Sequence, residues 1–256
     1  MSLKSLSLSA ILDIPLIKPG NNLAQILVNS LLKSSVKIQD NDILAIAQKI
    51  VSKAEGQLVD LNTVIPSTNA IELAEKVDKD PRQIELILSE SKAVVGHKPG
   101  VVIVEHHSGI ILANAGIDHS NIECNDNQEM VSLLPKDSNK SARQLKKDIK
   151  NLCDKNIGII ITDSIGRPWR LGTTGVALGS AGVQVIRDLR GDRDIFGREL
   201  KVSETADVDS LASAACLLMG EGDDASPLVS IRGVGSTNTD DDTRQLLRSP
   251  SDDLFR

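Results

Sequence analysis

Residues 42–51 read DILAIAQKIV, and the polar stretch SKAEG at residues 52–56 follows them directly. A short apolar run that ends at polar, Gly-containing residues is typical of a buried β-strand. Two similar runs follow, VVIVE at residues 101–105 and GIIIT at residues 158–162, the second ending at Asp163. Because strands of this kind need neighbours, these runs predict a sheet core, and residues 109–113 are predicted as the hairpin partner of residues 101–105.

Helical periodicity marks the segments between these strands. The predicted helices are residues 23–32, 68–78, 81–90, the second half of 124–156, and an Ala-rich segment at 204–219 that ends at Gly220. A first strand is predicted within residues 1–20 and a last one at 229–233, while residues 189–201 are predicted as a loop or hairpin. Since neither a repeat nor strict βαβ alternation is present, the pattern predicts an α+β fold, with mixed or antiparallel sheets and flanking helices, in one unit spanning residues 1–256.

Composition excludes several classes of function. Two Phe, one Trp and no Tyr leave no aromatic platforms for stacking single-stranded nucleic acid, and a net charge of -6 provides no basic field for nucleic acid or membrane. No apolar run approaches the ~20 residues that span a bilayer. The three cysteines lack CxxC spacing, so we expect reduced thiols and a cytoplasmic protein.

Three acidic residues lie at predicted element ends beside glycine or small polar residues: Asp118 in NAGIDHSN, Asp163 in TDSIGRPWR and Glu221 in MGEGDDAS. Carboxylate oxygens are the ligands that hard cations such as Mg²⁺ and Mn²⁺ prefer. Each carboxylate taken alone also fits a helix cap or turn former. Three such segments in one chain favour a metal site.

Donors for phosphate occur in two other segments, although the chain has neither a GxxxxGK[ST] loop nor a strand–GxGxxG–helix unit. Gln48, Lys49 and Lys53 lie near the end of the first buried strand, where they are either phosphate ligands or solvated side chains. The small residues of 219–226 allow backbone N–H groups to approach an anion, but they also fit a turn after a helix.

Other patterns have simpler explanations. Arg167 and Arg170 flank Trp169, which suits either anion recognition or cation–π packing at a surface turn. The glycines within residues 172–182 favour close backbone packing over a phosphate cradle. The four histidines lack HExxH spacing, so none is predicted to bind metal.

Several of these segments together resemble one family, the coenzyme F420-0:L-glutamate ligases, which are the gamma-glutamyl ligases of deazaflavin cofactor synthesis. The matching stretches are IPLIKPG (14–20), DILAIAQKIVSKAEG (42–56), GIILANAGIDHSNI (109–122), ITDSIGRPWRLGTTGVALGSAGV (161–183), DLRGDRDIFGREL (188–200), AACLLMGEGDDASP (214–227) and DDLFR (252–256). They span nearly the whole chain in the order of the family.

The resemblance implies an activity. GTP would phosphorylate the terminal carboxylate of F420-0, and the amine of L-glutamate would then attack the acyl phosphate. The same enzyme would also be able to add further gamma-linked glutamates. The implied protein is a homodimer of an unusual α+β ligase fold that uses two divalent cations, Mg²⁺ or Mn²⁺, and a monovalent cation such as K⁺. Some relatives carry a C-terminal nitroreductase-like domain, whereas here the ligase unit is expected to stand alone.

The resemblance also implies site residues. Asp118 and Asp163 would hold one metal ion, and Ser164 and Glu221 the second. The residues implied in nucleotide binding are Pro15, Leu16, Ile17, Lys18, Gln48, Lys49, Lys53, Asn121, Met219, Gly220, Glu221, Gly222, Asp223, Asp224, Ala225 and Ser226.

This chain departs from the family pattern in two places. Asn21 and Asn22 replace the acidic residues that usually follow the glycine of the early motif, and residues 91–98 lack expected arginines. Two alternatives therefore stay open: a related carboxylate–amine ligase with a different acceptor, and a nucleotide-binding protein without turnover.

Overall fold

A computed structural model describes residues 4–237, 239 and 241–254. The first three residues of the predicted N-terminal strand lie outside this range. So do the last two residues of the DDLFR segment, Phe255 and Arg256.

The described residues form six helices and twelve strands, numbered in chain order. The strands are β1 (Ser7–Ala10), β2 (Ile43–Ala47), β3 (Leu58–Asp60), β4 (Ser91–Lys98), β5 (Val101–His106), β6 (Ile111–Ala113), β7 (Met130–Ser132), β8 (Gly158–Arg167), β9 (Arg170–Ala181), β10 (Ile186–Asp188), β11 (Glu204–Ala206) and β12 (Leu228–Arg232). The helices are α1 (Leu23–Lys33), α2 (Gln48–Ala54), α3 (Thr68–Val77), α4 (Pro81–Ser89), α5 (Ser138–Cys153) and α6 (Asp207–Met219). Short 3-10 helices lie at Leu61–Thr63, Asn114–Gly116 and Thr243–Leu246.

A five-stranded mixed sheet forms the centre, in the order β1-β12-β2-β8-β9. Strands β2 and β8 are parallel, and the other neighbours are antiparallel. Smaller antiparallel sheets join β4-β5-β6, β3-β7 and β10-β11. The α+β prediction with mixed and antiparallel sheets is therefore confirmed, as are the β5–β6 hairpin and the hairpin around residues 189–201.

Helices cover both faces of the central sheet because both faces are apolar. Helices α1 and α5 pack on one face around Leu27, Ile46 and Ile159, and α6 packs on the other around Ala45 and Ile160. A separate core joins α3 and α4 to β5. The predicted helices are confirmed within three residues of their ends, and residues 204–206, the start of the last predicted helix, form β11.

Glycines in β9 bring the strand against helices on both faces. A Cβ atom at Gly175 would lie 2.6 Å from the backbone oxygen of Ala212 in α6, and one at Gly179 would clash with the backbone of Ser138 in α5. A register shift between these glycines turns them to opposite faces. The predicted role of this segment in close packing is confirmed.

The predicted strand over residues 42–51 is wrong in its second half. Strand β2 ends at Ala47 and the chain turns at once into α2, whose Ile50 and Val51 are buried in the same core as α1. Isoleucine and valine are β-branched and favour a strand locally. Once the chain has turned, however, a helix is the conformation that buries both side chains in this core. The expectation that Asp163 ends its strand is also wrong, because β8 continues to Arg167.

The run at residues 101–105 forms a strand with only one face buried. Val102 and Val104 are buried, whereas their neighbours in the strand, except His106, are partly exposed.

Within the described part of the chain, no helix combines the length and apolarity needed to cross a membrane.

Candidate functional site

A cleft of about 380 Å³ opens where four segments of the chain meet at one end of the central sheet. These segments are residues 14–17, the junction of β2 and α2, the loop at residues 118–121 and the loop after α6, and the middle of β8 forms the wall. Of the predicted site residues, the cleft is lined by Pro15, Leu16, Ile17, Gln48, Lys49, Lys53, Asp118, Asn121, Asp163, Ser164, Met219, Gly220, Glu221, Gly222, Asp223, Ala225 and Ser226. The fold thus brings together residues from five distant motifs.

An ion pair between Lys49 and Asp118 joins the first turn of α2 to the loop after the second 3-10 helix. The Lys49 Nζ atom lies 2.5 Å from Oδ2 of Asp118 and also donates to Ser120, at 3.0 Å to the backbone oxygen and 2.6 Å to Oγ. The Ser120 N–H donates to the other Asp118 oxygen at 2.7 Å. Burial favours a higher pKa for Asp118, but the hydrogen bonds from Lys49 and Ser120 outweigh it and lower the pKa below its usual value.

A second lysine reaches the same loop one helical turn later. The Lys53 Nζ atom donates to the backbone oxygen of Asn121 at 2.5 Å, and the Asn121 amide donates to the Gly222 oxygen at 3.4 Å. Burial, followed by the nearby Lys49 charge, lowers the pKa of Lys53. The two ammonium groups supply charged donors for phosphate oxygens in a cleft that also holds the carboxylates of Asp118, Asp163 and Glu221.

Asp163 projects from the middle of β8 into this cleft. Burial, aided by the negative charges of Asp118 and Glu221, raises the pKa of Asp163 to about 7 against the opposing effects of the Ser164 N–H and Lys49. Among the described residues, the Ser164 N–H, at 3.0 Å from Oδ1, is the only hydrogen-bond donor to the Asp163 side chain. The carboxylate therefore lacks a neutralising partner of its own.

The donor set suits hard divalent cations, although the described residues contain no ready-made group of three His, Cys, Asp or Glu side chains around one point. Asp118, Asp163, Ser164 and Glu221 all supply oxygen atoms to one cleft, which is the chemistry that Mg²⁺ and Mn²⁺ require. The mutual repulsion of the carboxylates is what a bound cation would relieve. Asp118 also forms a turn, as its local sequence suggested, because its carboxylate accepts the backbone N–H of Ser120.

Two predicted nucleotide ligands lie outside the cleft lining. Lys18 is exposed and its Nζ atom lies 3.5 Å from Glu123. The carboxylate of Asp224 lies instead against Gly220, at the C-terminus of α6, where a Cβ atom would clash with it. Arg167, Trp169 and Arg170 are also outside the lining, at the exposed tip of the β8–β9 hairpin.

Sequence reasoning missed several lining residues, of which Ser120, Thr162 and Cys216 are polar or reactive. Ser120 was within reach of prediction because a serine two residues after an aspartate suits this kind of turn. Cys216 lies half-buried one turn before the end of α6, with its Sγ atom 3.4 Å from Oγ1 of Thr162. Burial raises the pKa of this thiol.

Comparison with known proteins gives a consistent result. Residues 11–233 match the model of the family described as F420-0:Gamma-glutamyl ligase. A coenzyme F420:L-glutamate ligase from Methanopyrus kandleri is 43% identical over 94% of this chain and 93% of its own length. Proteins of the same name from Methanocaldococcus jannaschii and Methanothermobacter thermautotrophicus are 40% and 37% identical, over 96% and 98% of this chain and 95% and 99% of their own lengths.

The match covers all the segments that line the cleft, from Ile14 to Pro227. The similarity extends over nearly the whole chain, which belongs to the F420-0:gamma-glutamyl ligase family.

Proposed function

We propose that this protein joins L-glutamate to coenzyme F420-0 at the expense of GTP. The observation that carries the proposal is the cleft in which Lys49 and Lys53 face Asp118, Asp163 and Glu221. Lysines that neutralise phosphate beside carboxylates that hold divalent cations form the usual apparatus of phosphoryl transfer. The names of the relatives supply the acceptor and the amino acid.

In the proposed complex the lysines act on the nucleotide. Lys49 and Lys53 bind phosphate oxygens as point charges, and the backbone N–H groups of the Gly220–Gly222 turn approach the same anion. Asp118 and Asp163 would hold one divalent cation and Ser164 and Glu221 a second, and these cations would supply positive charge that stabilises the transferring phosphoryl group. Lys49 must release Asp118 or Ser120 to donate to phosphate, because its three donors already have partners.

The proposed reaction has two steps. An oxygen of the acceptor carboxylate attacks the γ-phosphorus, a C–O–P linkage forms, and the bond to the bridging oxygen breaks to release GDP. The amine of L-glutamate then attacks the acyl carbon, loses a proton and expels inorganic phosphate. Phosphorylation is needed because a carboxylate offers only oxide as a leaving group. Addition of further gamma-linked glutamates would repeat both steps on the new terminal carboxylate.

A homodimer is part of the proposal. Trp169 and Leu171, at the tip of the β8–β9 hairpin, are 87% and 100% exposed, and Ile195 and Phe196 in the β10–β11 loop are 93% and 79% exposed. Aromatic residues such as Trp169 and Phe196 are enriched in protein–protein interfaces. Sedimentation of the wild type should give a dimer, and a Leu171→Glu/Phe196→Glu variant should shift it towards monomer. A wild type that sediments as a monomer at micromolar concentration would contradict the dimer.

Mass spectrometry tests the activity directly. F420-0, GTP, L-glutamate and Mg²⁺ or Mn²⁺, with and without K⁺, should yield a product heavier by one or more glutamyl residues, together with GDP and phosphate. Glutamate addition to other small carboxylates but not to F420-0 would favour the ligase with a different acceptor. GTP binding without any product would favour the non-catalytic alternative.

A further inference from the structure

A second cavity, of about 430 Å³, lies directly beside the nucleotide cleft. Asp163 lines the cleft and Val176 lines the second cavity, and these two residues are paired across the antiparallel β8–β9 ladder. Paired residues of antiparallel strands project to the same face, with Cβ atoms about 5 Å apart. The two cavities therefore adjoin at this pair of residues.

The lining of the second cavity is apolar on one side and basic at its rim. Ile110, Leu134, Ile165 and Leu178 form the apolar wall with Val176. Lys136 supplies a basic group at this rim, whereas Arg244 is paired with the Asp242 carboxylate and the His107 ring lies 2.9 Å from the Ser89 backbone oxygen.

Two carboxylates also reach the second cavity, and each already accepts a backbone N–H. Asp137 accepts from Lys140 at 2.8 Å, and Asp209 accepts from Ala177 at 2.9 Å. One backbone donor does not neutralise a carboxylate, so the groups that favour an acidic ligand are the apolar wall and the Lys136 ammonium.

His106 lies between the second cavity and the Glu90 carboxylate. Its side chain is 4% exposed and lines the cavity. The Ser108 N–H donates to its Nδ1 atom at 3.0 Å, which places the proton of the neutral ring on Nε2. Nε2 has no hydrogen-bond partner among the described residues, and the Glu90 carboxylate is 3.7 Å away, beyond hydrogen-bond distance. Nε2 is itself buried and its nearest acceptor is the Glu90 carboxylate, so a ligand in the cavity is recognised by other groups of the lining.

We propose that the second cavity binds the body of the acceptor substrate, an apolar ring system that carries anionic groups. Its carboxylate end would cross the β8–β9 ladder beside Val176 and enter the cleft at Asp163. Clefts of this volume hold ligands of about drug size, and an apolar wall with a few placed polar groups is the usual lining of such sites. The proposal rests on the proposed function, because the acceptor is the one defined there.

Two variants probe the cavity without touching the cleft. Ile110→Trp places a bulky ring at the partly exposed rim, and Lys136→Ala removes a basic group. His97→Ala, on the exposed strand β4, is the matched control. Circular dichroism and thermal unfolding establish that all three proteins are folded.

Binding is measured by calorimetry with F420-0 and with GTP separately, and KM is measured for L-glutamate. We expect Ile110→Trp to raise the Kd of F420-0 about tenfold or more and Lys136→Ala to raise it several-fold. GTP affinity and the KM for L-glutamate should stay within about twofold, and His97→Ala should match the wild type. If both cavity variants bind F420-0 as tightly as the wild type, or if only the KM for L-glutamate rises, the cavity assignment is wrong. The proposed function is not affected by either result. A wild type that binds GTP but not F420-0 overturns the proposed acceptor, and the cavity assignment with it.

Discussion

The ammonium group of Lys49 and the carboxylate of Asp118 lie 2.5 Å apart, although 69 residues separate them in the chain. The pair links the helix after β2 to the loop that supplies a proposed metal ligand. Lys49 thus acts as the counter-ion of Asp118 in the cleft, and the same charge is proposed to bind phosphate.

Replacement of Lys49 by alanine should weaken GTP binding. The Kd measured by calorimetry should rise about tenfold or more, a loss of about 1.4 kcal/mol or more for one charge–phosphate contact. The pKa values of Asp118 and Asp163 should both rise, because Lys49 lowers each of them. Lys150→Ala, which removes an exposed ion pair with Asp154 on α5, is the control. An unchanged Kd for GTP would show that Lys49 only neutralises Asp118.

Lys53→Ala should also weaken GTP binding while the fold stays intact. Its Nζ atom holds one backbone oxygen, that of Asn121, so loss of the side chain should cost about 1 kcal/mol or less of stability. Calorimetry measures the affinity, and urea unfolding measures the stability. Lys76→Ala, in the last turn of α3, serves for comparison. Equal affinity in the two variants would make Lys53 a structural side chain.

The stability of the metal-free protein should depend on pH through Asp163. Its pKa rises from 3.8 in the unfolded chain to about 7 in the folded one. Unfolding therefore releases a proton between about pH 4 and pH 7, so this carboxylate destabilises the fold progressively over that window and at a constant level above it. A shift of about 3 units corresponds to an upper limit of about 4 kcal/mol.

Asp163→Asn removes this dependence. In the presence of a chelator, its free energy of unfolding should exceed that of the wild type at pH 8, and the difference should shrink towards pH 4. Urea unfolding at several pH values measures it. An equal stability difference at pH 4 and pH 8 would mean that Asp163 is not protonated on folding.

The cysteines should be dispensable for turnover. Cys124 is exposed, Cys153 is partly buried, and burial raises the pKa of the Cys216 thiol, which makes it a poor nucleophile even though it lines the cleft. The triple Cys→Ser variant, once shown to fold, should retain glutamate addition in the mass-spectrometric assay. Loss of turnover in the folded variant would indicate a thioester route in place of the acyl phosphate.

Gly179→Ala should destabilise the protein. The new Cβ atom would clash with the backbone of Ser138, where α5 crosses β9, and a backbone neighbour cannot rotate away. Overpacking of this kind costs about 1–3 kcal/mol, so thermal unfolding should occur several degrees lower. Gly166→Ala, where no atom lies within 4 Å of the new Cβ, should unfold within a degree or two of the wild type. Equal melting temperatures would mean that α5 shifts at little cost.

Local sequence determined most of the elements. The periodicity of residues 68–78 and 81–90 located α3 and α4, with Pro81 at the first helical position, because capping and amphipathic spacing are properties of neighbouring residues. The apolar runs located β2, β5 and β8 for the same reason. The end of β2 at Ala47 was missed, since only the buried contacts of Ile50 and Val51 make a helix favourable there.

The motifs also named the members of the cleft, but the sequence left open whether they converge. Asp118, Asp163 and Glu221 could each have been a cap or turn, because a carboxylate has the same local preferences in either role. Only the tertiary structure brought β8, α2 and two loops to one end of the sheet, and that proximity, through burial and mutual repulsion, raises the pKa of Asp163 to about 7. The second cavity had no sequence signal, because Val176 and His106 come from strands of different sheets and meet only when those sheets pack.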